Sequence, residues 1–343
     1  MHKFLVVFCF FILSSCIDFP KKAPISKVSV TTVFEDSVSI RAIEFLDANT
    51  LAFAGSKGIY GTVDIPTGKV RSNTIKYHTS IPEFRAVAHT STDFFMLSVA
   101  NPALLYKTGD NGKMDLVYME EGEGVFYDAM KFWNDKEGIA IGDTVNGCLS
   151  IIITRDGGKT WTKLPCGDLP LGIKGEGAFA ASNTNIEIEG NKTWIVTTSG
   201  RIYFSENKGV TWTAVQTPII NEKETQGMYS LDFYDENLGY AIGGDFTEPD
   251  ATIANKIMTV DGGITWETVA SGTTPGYKSC VQYIPNSGGD DLIAIGFTGI
   301  DYSNNGGYSW EKLSEEGFYT IRFLNDSVAY AAGKNRIVKL VFK

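Results

Sequence analysis

The chain has few of the residues on which metal and redox chemistry depend. It contains three histidines and five cysteines in 343 residues, and no Cys-x-x-Cys pair occurs. Beyond the N-terminal segment only His78 and His89 remain, so a zinc site lacks its usual ligands. No Gly-x-Gly-x-x-Gly run follows a strand and opens a helix, so the sequence shows no dinucleotide motif. We therefore expect neither a metal nor a cofactor.

Positive charge and helix signals are also scarce. Lys and Arg total 30 against 40 Asp and Glu, which gives a formal net charge of −10. Such a surface repels phosphate backbones, so nucleic acid is not an expected partner. In contrast, 36 glycines and 12% aromatic residues favour a β-rich chain with many tight turns. Gly supplies positive φ in those turns, and aromatic side chains favour pleated surfaces.

The N-terminus has the pattern of an export signal. Lys3 precedes an apolar stretch, residues 4–13, which is too short to span a bilayer stably and is typical of a secretory signal. The run Leu13-Ser14-Ser15-Cys16 resembles the lipoprotein box of bacteria, which implies cleavage before Cys16 and acylation of its thiol and amino group. A plain signal peptide with an incidental cysteine is the alternative.

These features predict the domain organisation and the location. We expect a lipoprotein signal peptide over residues 1–15, a lipid-anchored tether over 16–27 and one folded domain over 28–343. The lipid would be the only membrane contact, at the outer membrane of a bacterial cell envelope, with the periplasmic and surface sides both open.

Three cysteines remain in the predicted domain: Cys148, Cys166 and Cys280. An odd number leaves at least one cysteine unpaired in an oxidising compartment. Cys148 and Cys166 are close enough in sequence to pair, but spacing alone does not show it. Three buried, apolar thiols are an equal alternative.

One octapeptide recurs along the chain. The copies are TRDGGKTW (154–161), SENKGVTW (205–212), TVDGGITW (259–266) and SNNGGYSW (303–310), with a degraded copy, TGDNGKMD, at 108–115. Each intact copy reads Ser/Thr-x-Asp/Asn-x-Gly-x-x-Trp and follows an apolar strand-like run. The pattern predicts a hairpin turn in which the Asp or Asn accepts backbone N–H bonds, the Gly adopts positive φ and the Trp covers the base.

The Asp position of this motif is occupied by Asn in two copies, which argues against metal binding or catalysis there. A turn needs only an acceptor oxygen, whereas a calcium loop needs several carboxylates at alternating spacing and a distal Glu. We therefore interpret the following residues as structural: Asp156, Trp161, Asn207, Trp212, Asp261, Trp266, Asn305 and Trp310.

The larger repeat predicts an all-β fold, a single β-propeller of seven four-stranded blades. Six clear units of about 40 to 50 residues and one irregular unit near 178–198 match the blade period. The seventh unit ends after its third strand at residues 336–342, and an orphan strand lies at 27–34. Pairing these two would complete the last blade and remove two exposed edges. Six or eight blades stay compatible with the irregular unit.

The four octapeptides resemble the Asp-box turns of sialidase-type and related propellers. The domain as a whole, with LGYAIGGDF and GEGAFAAS, is similar to bacterial relatives of the photosystem II stability and assembly factors. The resemblance implies the propeller fold and a scaffold-like role. Asp boxes are specific for fold and carry little information about function.

A propeller directs the start of each first strand toward one mouth of its channel, opposite the Asp-box turns. Aligning the units places polar and aromatic residues at that mouth, and we take eight of them as candidate binding residues: Arg41, Arg85, Tyr127, Asp128, Tyr229, Ser230, Lys278 and Tyr319. A wet channel with no ligand would explain the polar ones equally well. Long loops in the middle units lie on the same face and suit binding.

Those loops also carry three carboxylates, Asp143, Glu176 and Asp245, which are the candidate catalytic residues. A glycoside hydrolase or polysaccharide lyase would need such carboxyls around one concave site. Sialidase features are missing, since residues 16–343 contain only seven arginines and the Arg-Ala-Ile at 41–43 is not followed by Pro. Whether the chain is an enzyme stays open. The sequence favours a monomeric, non-catalytic scaffold for a protein or glycan partner, with a glycan-active enzyme as the alternative.

Overall fold

The computed structural model describes residues 23–109 and 112–343. The predicted signal peptide, the predicted lipidation site Cys16, and Asp110 and Asn111 of the degraded box lie outside these residues. Within them, the strands are accompanied by short 3-10 turns such as Ser56–Gly58 and Cys166–Asp168. None of the helical segments described is long and apolar enough to cross a membrane.

In the described residues, twenty-seven strands form five four-stranded sheets and one seven-stranded sheet. The long strand β1 (Val28–Asp47) belongs to two blades, because its first half pairs with β27 and its second half pairs with β2. The seven-stranded sheet is therefore two blades that share one strand. Seven blades result, as the sequence predicted, and the N-terminal strand completes the last one.

Blade 1 continues with β2 (Thr50–Gly55), β3 (Ile59–Asp64) and β4 (Val70–Thr74). Blade 2 contains β5 (Phe84–His89), β6 (Phe94–Ser98), β7 (Ala103–Thr108) and β8 (Met114–Glu120). Blade 3 contains β9 (Tyr127–Phe132), β10 (Gly138–Val145), β11 (Cys148–Thr154) and β12 (Thr162–Lys163). Blade 4 contains β13 (Ile186–Glu189), β14 (Lys192–Val196), β15 (Arg201–Ser205) and β16 (Thr213–Gln216).

Blade 5 contains β17 (Met228–Phe233), β18 (Gly239–Gly243), β19 (Lys256–Thr259) and β20 (Glu267–Thr268). Blade 6 contains β21 (Cys280–Tyr283), β22 (Leu292–Gly296), β23 (Gly299–Ser303) and β24 (Glu311–Ser314). Blade 7 contains β25 (Thr320–Phe323), β26 (Val328–Ala332) and β27 (Lys334–Phe342) with the first half of β1. The innermost strand of each blade contacts those of its neighbours, and β25 contacts β1.

The core is divided between the blades. Each pair of neighbouring blades encloses one buried apolar cluster, including blades 7 and 1, where Tyr330 and Ile337 pack with Ile40 and Phe53. Burial of these faces against each other supplies the driving force that holds the blades together.

The strand directions define two faces. We call the end where the innermost strands begin the entry face and the opposite end the Asp-box face. Connections between blades and the loops between second and third strands lie on the entry face. Hairpins between third and fourth strands lie on the Asp-box face, because the first and third strands of an antiparallel blade run in the same direction.

The four intact boxes share one set of turn contacts. In each, the Ser or Thr hydroxyl at position 1 accepts the backbone N–H of position 5 at 2.9 Å. The Asp or Asn oxygen at position 3 accepts the N–H of position 7 at 2.9–3.0 Å. The position-5 glycine Gly263 has φ +87°, and a Cβ there would meet the Trp194 Nε1 at 2.6 Å.

The Asp and Asn copies differ in their contact with the hydroxyl at position 7. Thr160 and Thr265 donate their hydroxyls to the second carboxylate oxygen of Asp156 and Asp261. Asn207 instead donates its Nδ2 to the hydroxyl of Thr211, and Asn305 does the same toward Ser309. The hydroxyl rotates to suit either partner, which is why both residue types hold the turn.

The box tryptophans cover the joints between blades. Trp161 packs edge-on against Phe95 of blade 2 and Phe132 of its own blade, with ring centroids 6.4 and 5.8 Å away. Trp212 and Trp266 are buried in the clusters that their blades share with the preceding blade. Trp310 packs against the cluster between blades 5 and 6.

The chain preceding β1 is attached to the Asp-box face. The backbone N–H of Ile25 donates to the Tyr302 hydroxyl at 3.4 Å, and the N–H groups of Ser26 and Lys27 donate to the Lys343 carbonyl at 2.8 and 3.0 Å. Ile25 is buried in the cluster between blades 6 and 7. Residues 25–27, which the sequence assigned to the tether, thus pack on the propeller.

Candidate binding face

The entry side of the channel is closed by residues 180–185, which we call the plug. They precede β13, and all six are buried. Asn183 donates its Nδ2 to the Val87 carbonyl at 2.8 Å and accepts the Met130 N–H at 3.0 Å. The Ala181 carbonyl accepts from Arg41 at 3.3 Å. These bonds tie the plug to blades 1, 2 and 3.

The opposite side of the plug bonds to blades 5, 6 and 7. Ser182 donates its hydroxyl to the Ser279 carbonyl at 2.6 Å, and its own carbonyl accepts from the Thr320 hydroxyl at 2.9 Å. Thr184 donates to the Ser230 hydroxyl at 2.7 Å. Of the polar residues that the sequence placed around an open mouth, Arg41 and Ser230 therefore bond to plug atoms.

Five of the eight candidate binding residues are buried. Their exposed fractions are at most 3%, and they are Tyr127, Asp128, Tyr229, Ser230 and Lys278. Lys278 forms an ion pair with Asp301 at 2.5 Å, where both side chains are 2% exposed. Nearby Lys256 donates to three backbone and amide oxygens, and burial lowers its pKa to about 8.

Arg41, Arg85 and Tyr319 remain partly exposed at the centre of the entry face. The Arg41 guanidinium lies over the Tyr319 ring, 3.9 Å from its centroid. Burial and the nearby Arg85 charge lower the pKa of Arg41. The Nε of Arg41 is buried, and no acceptor in residues 23–109 or 112–343 reaches it. Arg85 pairs with Glu83 at 2.6 Å.

Two carboxyls lie beside this arginine pair. Asp128 is fully buried, and no donor in the described part of the chain reaches either oxygen with good hydrogen-bond geometry. Burial, followed by the Asp143 charge, raises the pKa of Asp128 well above its usual range. Asp143 accepts the Ala178 N–H at 3.1 Å, and burial raises its pKa to about 6. These two residues are therefore protonated more readily than exposed aspartates.

The other candidate carboxylates serve local structure. Glu176 is 1% exposed and accepts from Arg201 Nε at 3.0 Å, from the Thr197 hydroxyl at 2.9 Å and from the Ile173 N–H at 2.9 Å. Asp245 accepts the N–H and hydroxyl of Thr247 at 2.9 and 2.6 Å. The segments that carry Asp143 and Glu176 contact each other, because the Thr144 N–H donates to the Glu176 carbonyl at 3.1 Å. Asp245 belongs to a different turn.

An aromatic cluster extends from the plug toward the rim. Phe179 stacks on Tyr229 with centroids 3.7 Å apart, Tyr229 meets Tyr277 edge-on at 4.8 Å, and Tyr277 contacts Phe297 at 5.2 Å. Phe297 is 46% exposed. Further exposed apolar side chains lie on entry-face loops, namely Ile81, Leu171, Ile173, Phe246 and Ile253.

The channel below the plug holds a cavity of about 230 Å³. Charged side chains from several blades line it, and two ion pairs form there: Lys131 with Glu187, and Arg322 with Glu44 at 3.3 Å. Burial, followed by the Glu187 charge, raises the pKa of Asp232 to about 8. Over residues 23–109 and 112–343, no group of three or more His, Cys, Asp or Glu is arranged to hold a metal ion.

Sequence reasoning missed the plug, Phe179, Phe297 and the cavity residues. The signal was present in the fourth unit, whose run GEGAFAASNTN breaks the alternation expected of an innermost strand. A break in repeat pattern shows that the residues do something different, but it does not show which blades they contact.

Comparison with known proteins supports the fold. The model of the BNR/Asp-box repeat matches residues 152–163, and no curated protein matches the chain in sequence. A solved structure of YCF48 bound to D1 peptide is 12% identical, with a TM-score of 0.65 over 94% of this chain and 99% of that one. YCF48 from Cyanidioschyzon merolae is 14% identical, with a TM-score of 0.61 over 91% and 98%.

The WD40 repeats of RRP9 are equally similar in shape, with 9% identity and a TM-score of 0.64 over 94% of this chain and 99% of that one. At these identities the likeness shows the fold alone. The chain is an Asp-box β-propeller that resembles YCF48 and also WD40 propellers.

Proposed function

We propose that this protein is a non-catalytic scaffold that binds an acidic segment of a partner protein on its entry face. We propose further that it is held at the bacterial cell envelope by a lipid on Cys16. The pairing of Arg41 and Arg85 at the centre of that face carries the first proposal. The sequence of residues 1–22 carries the second.

The arginine pair has spare hydrogen-bonding capacity. Two guanidinium groups close to each other repel, and the Nε of Arg41 has no acceptor among the residues that the structure describes. A carboxylate from a partner would place compensating charge beside the partly exposed Arg41 and Arg85 side chains, and bidentate pairing with carboxylates is what guanidinium geometry favours. The partly exposed positions of Tyr319 and Arg85 leave room for such a group.

The surroundings of the arginine pair suit a protein partner. Six large apolar side chains are exposed on entry-face loops, with Leu171 at 80%, Ile253 at 64% and Phe297 at 46%. Exposed apolar residues around a polar centre are a feature of protein-binding surfaces. YCF48 has been solved with a D1 peptide, so this fold can present a peptide-binding surface.

The carboxylates favour binding over catalysis. Glu176 is neutralised by Arg201, and Asp128 is fully buried. A glycosidase needs two carboxyls flanking its substrate, one protonated and one ionised. Of these carboxyls, Asp143 combines partial exposure with a raised pKa that would suit a general acid. The Asp128 side chain beside it is buried and cannot reach a sugar.

Two observations support export to the envelope. The N-terminal pattern predicts a cleaved signal followed by Cys16. Cys148 and Cys166 form a disulfide, and disulfides persist in oxidising compartments such as the periplasm and the cell surface. Cys280 is free and buried.

A displayed peptide library tests the binding proposal. We expect the purified protein to enrich peptides with acidic residues, and Arg85→Gln to reduce their binding strongly, with the Arg41→Gln/Arg85→Gln variant reducing it further. Arg71→Gln removes an exposed arginine from β4 and serves as the matched control. Enrichment that does not depend on Arg41 or Arg85 would contradict the proposed site, and turnover of an envelope oligosaccharide would favour the enzyme instead.

A further inference from the structure

Equivalent positions on the Asp-box face carry an unusual set of side chains. Position 6 of the box is Lys159 in blade 3, Val210 in blade 4, Ile264 in blade 5 and Tyr308 in blade 6. We call these four residues the box arc. The apolar members are 64%, 70% and 63% exposed, although each is a large side chain. The shared turn contacts mean that all four project from their hairpins in the same way.

The turn itself does not explain these residues. Its bonds come from side chains at positions 1, 3 and 7, and Lys159 shows that position 6 accepts a charge. The blade 5 box carries an exposed apolar residue at position 2 as well, Val260, which is 69% exposed. Four exposed apolar side chains thus recur on three neighbouring hairpins of one face, and large exposed apolar patches mark protein or membrane contact sites.

The chain reaches this face from the predicted lipid anchor. Ile25 is bonded to Tyr302 of blade 6, at the end of the box arc, and Lys27 is bonded to Lys343, next to the start of β1 opposite Phe342. The residues between Cys16 and Ile25 could extend over at most about 30 Å. A lipid on Cys16 would therefore keep the Asp-box face close to the bilayer.

We propose that the box arc rests on the bilayer surface, with Val210 and Ile264 in the headgroup region. Separate apolar tips that project equally from neighbouring blades suit a flat occupant better than a groove-filling one. Tyr308 and Lys159 fit the two ends of such a contact, since tyrosine prefers the membrane interface and lysine extends its ammonium group toward headgroups. This inference rests on the lipid anchor of the proposed function.

Fluorescent labels at single introduced cysteines test the contact. The full-length protein, purified from membranes, is incorporated into vesicles of phosphatidylethanolamine and phosphatidylglycerol, with an environment-sensitive dye at Ile264→Cys or Tyr308→Cys. Phe297→Cys is the control on the entry face, where the native side chain is 46% exposed. We expect a blue-shifted emission and several-fold weaker iodide quenching at residues 264 and 308, with no such change at 297.

The native cysteines do not interfere: Cys148 and Cys166 are bonded to each other, Cys280 is buried, and the proposed processing removes Cys9 and acylates Cys16. Equal quenching at all three labels on vesicle-bound protein would overturn the inference and leave the anchor standing. Protein that does not float with the vesicles would overturn the anchor and the inference together. The peptide-binding proposal would be unaffected by that result, because its test uses no vesicles. A Val210→Ser/Ile264→Ser background should restore quenching at residue 308 without releasing the protein.

Discussion

The Asp-box turns lead to a quantitative prediction at Asp261. Its carboxylate accepts hydrogen bonds from the Thr265 N–H at 2.9 Å, the Thr265 hydroxyl at 2.6 Å and the Thr259 hydroxyl at 2.8 Å. The equivalent residue in blade 6 is Asn305, which holds the same turn by accepting the Ser309 N–H at 2.9 Å and donating to the Ser309 hydroxyl at 2.8 Å. An amide should therefore replace the carboxylate at position 261.

The two substitutions at Asp261 should differ in cost. Asp261→Asn keeps an acceptor oxygen and lets the Thr265 hydroxyl rotate to accept, so the free energy of unfolding should change by less than about 0.5 kcal/mol. Asp261→Ala removes three hydrogen bonds, each with a net value of about 0.5–1.5 kcal/mol. Because Thr265 is exposed, the lower half of that range applies, and we expect a loss of about 2 kcal/mol.

Urea unfolding followed by tryptophan fluorescence measures both variants. The midpoint should fall for Asp261→Ala with an unchanged slope against urea concentration, which shows that stability and not the exposed surface has changed. Addition of EDTA should leave the wild-type midpoint unchanged. If Asp261→Asn lost as much as Asp261→Ala, or if EDTA reproduced the loss, the turn would depend on the negative charge or on a bound cation, and our interpretation would be wrong.

The same site has a pH signature. The hydroxyl and then the backbone N–H of Thr265 lower the pKa of Asp261 to about 2. A depressed carboxyl pKa stabilises the fold fully above the unfolded value of about 3.9, and this stabilisation disappears as the pH falls through the folded value. Asp261→Asn lacks this dependence, so the stability difference between wild type and variant should change between about pH 4 and pH 2 and stay constant above.

Three further predictions concern burial and the disulfide. Trp266→Ala should lower the free energy of unfolding by about 3–5 kcal/mol in urea unfolding, because it empties the joint between blades 4 and 5 without touching the entry face. Arg201→Ala should cost about 3–5 kcal/mol in the same assay, since it leaves the Glu176 carboxylate buried and unpaired, and Glu176→Gln in that background should recover part of the loss. Cys148→Ser/Cys166→Ser should lower stability by about 2–4 kcal/mol, and a reducing agent should do the same to wild type only.

Each of these predictions has an outcome that would contradict it. A stable Trp266→Ala variant that has lost peptide binding would mean that the box contributes to the binding site. A loss below about 1 kcal/mol for Arg201→Ala would mean that solvent reaches Glu176. An unchanged midpoint under reducing conditions would show that the disulfide does not constrain the unfolded chain.

The fold was predictable because its signals are local and repeated. Asp or Asn, Gly and Trp in each box fix one hairpin by contacts within eight residues, and four copies reveal the blade period. The seventh blade was predictable because exposed strand edges are unfavourable. Pairing the three-stranded last unit with the orphan N-terminal strand removes two such edges. The pairing of Val28 with Phe342 is the outcome.

The candidate site was less predictable because its contacts are long-range. Alignment placed Ser230 correctly at the start of an innermost strand, but its hydroxyl accepts from Thr184 of the plug, 46 residues earlier in the chain. Burial of Lys278 depends in the same way on Asp301 in the next hairpin. A side chain at a strand end can face a ligand or another loop, and one sequence does not distinguish these.

The propeller allows its two faces to change independently. On the Asp-box face, turn geometry uses positions 1, 3, 5, 7 and 8, so position 6 is free to be Lys159, Val210 or Tyr308 without altering a bond of the turn. On the entry face, loops can lengthen without changing the register of any strand. If the lipid tether holds the box arc on the bilayer, the entry face with Arg41 and Arg85 points away from the bilayer into the aqueous space, where a partner can reach it.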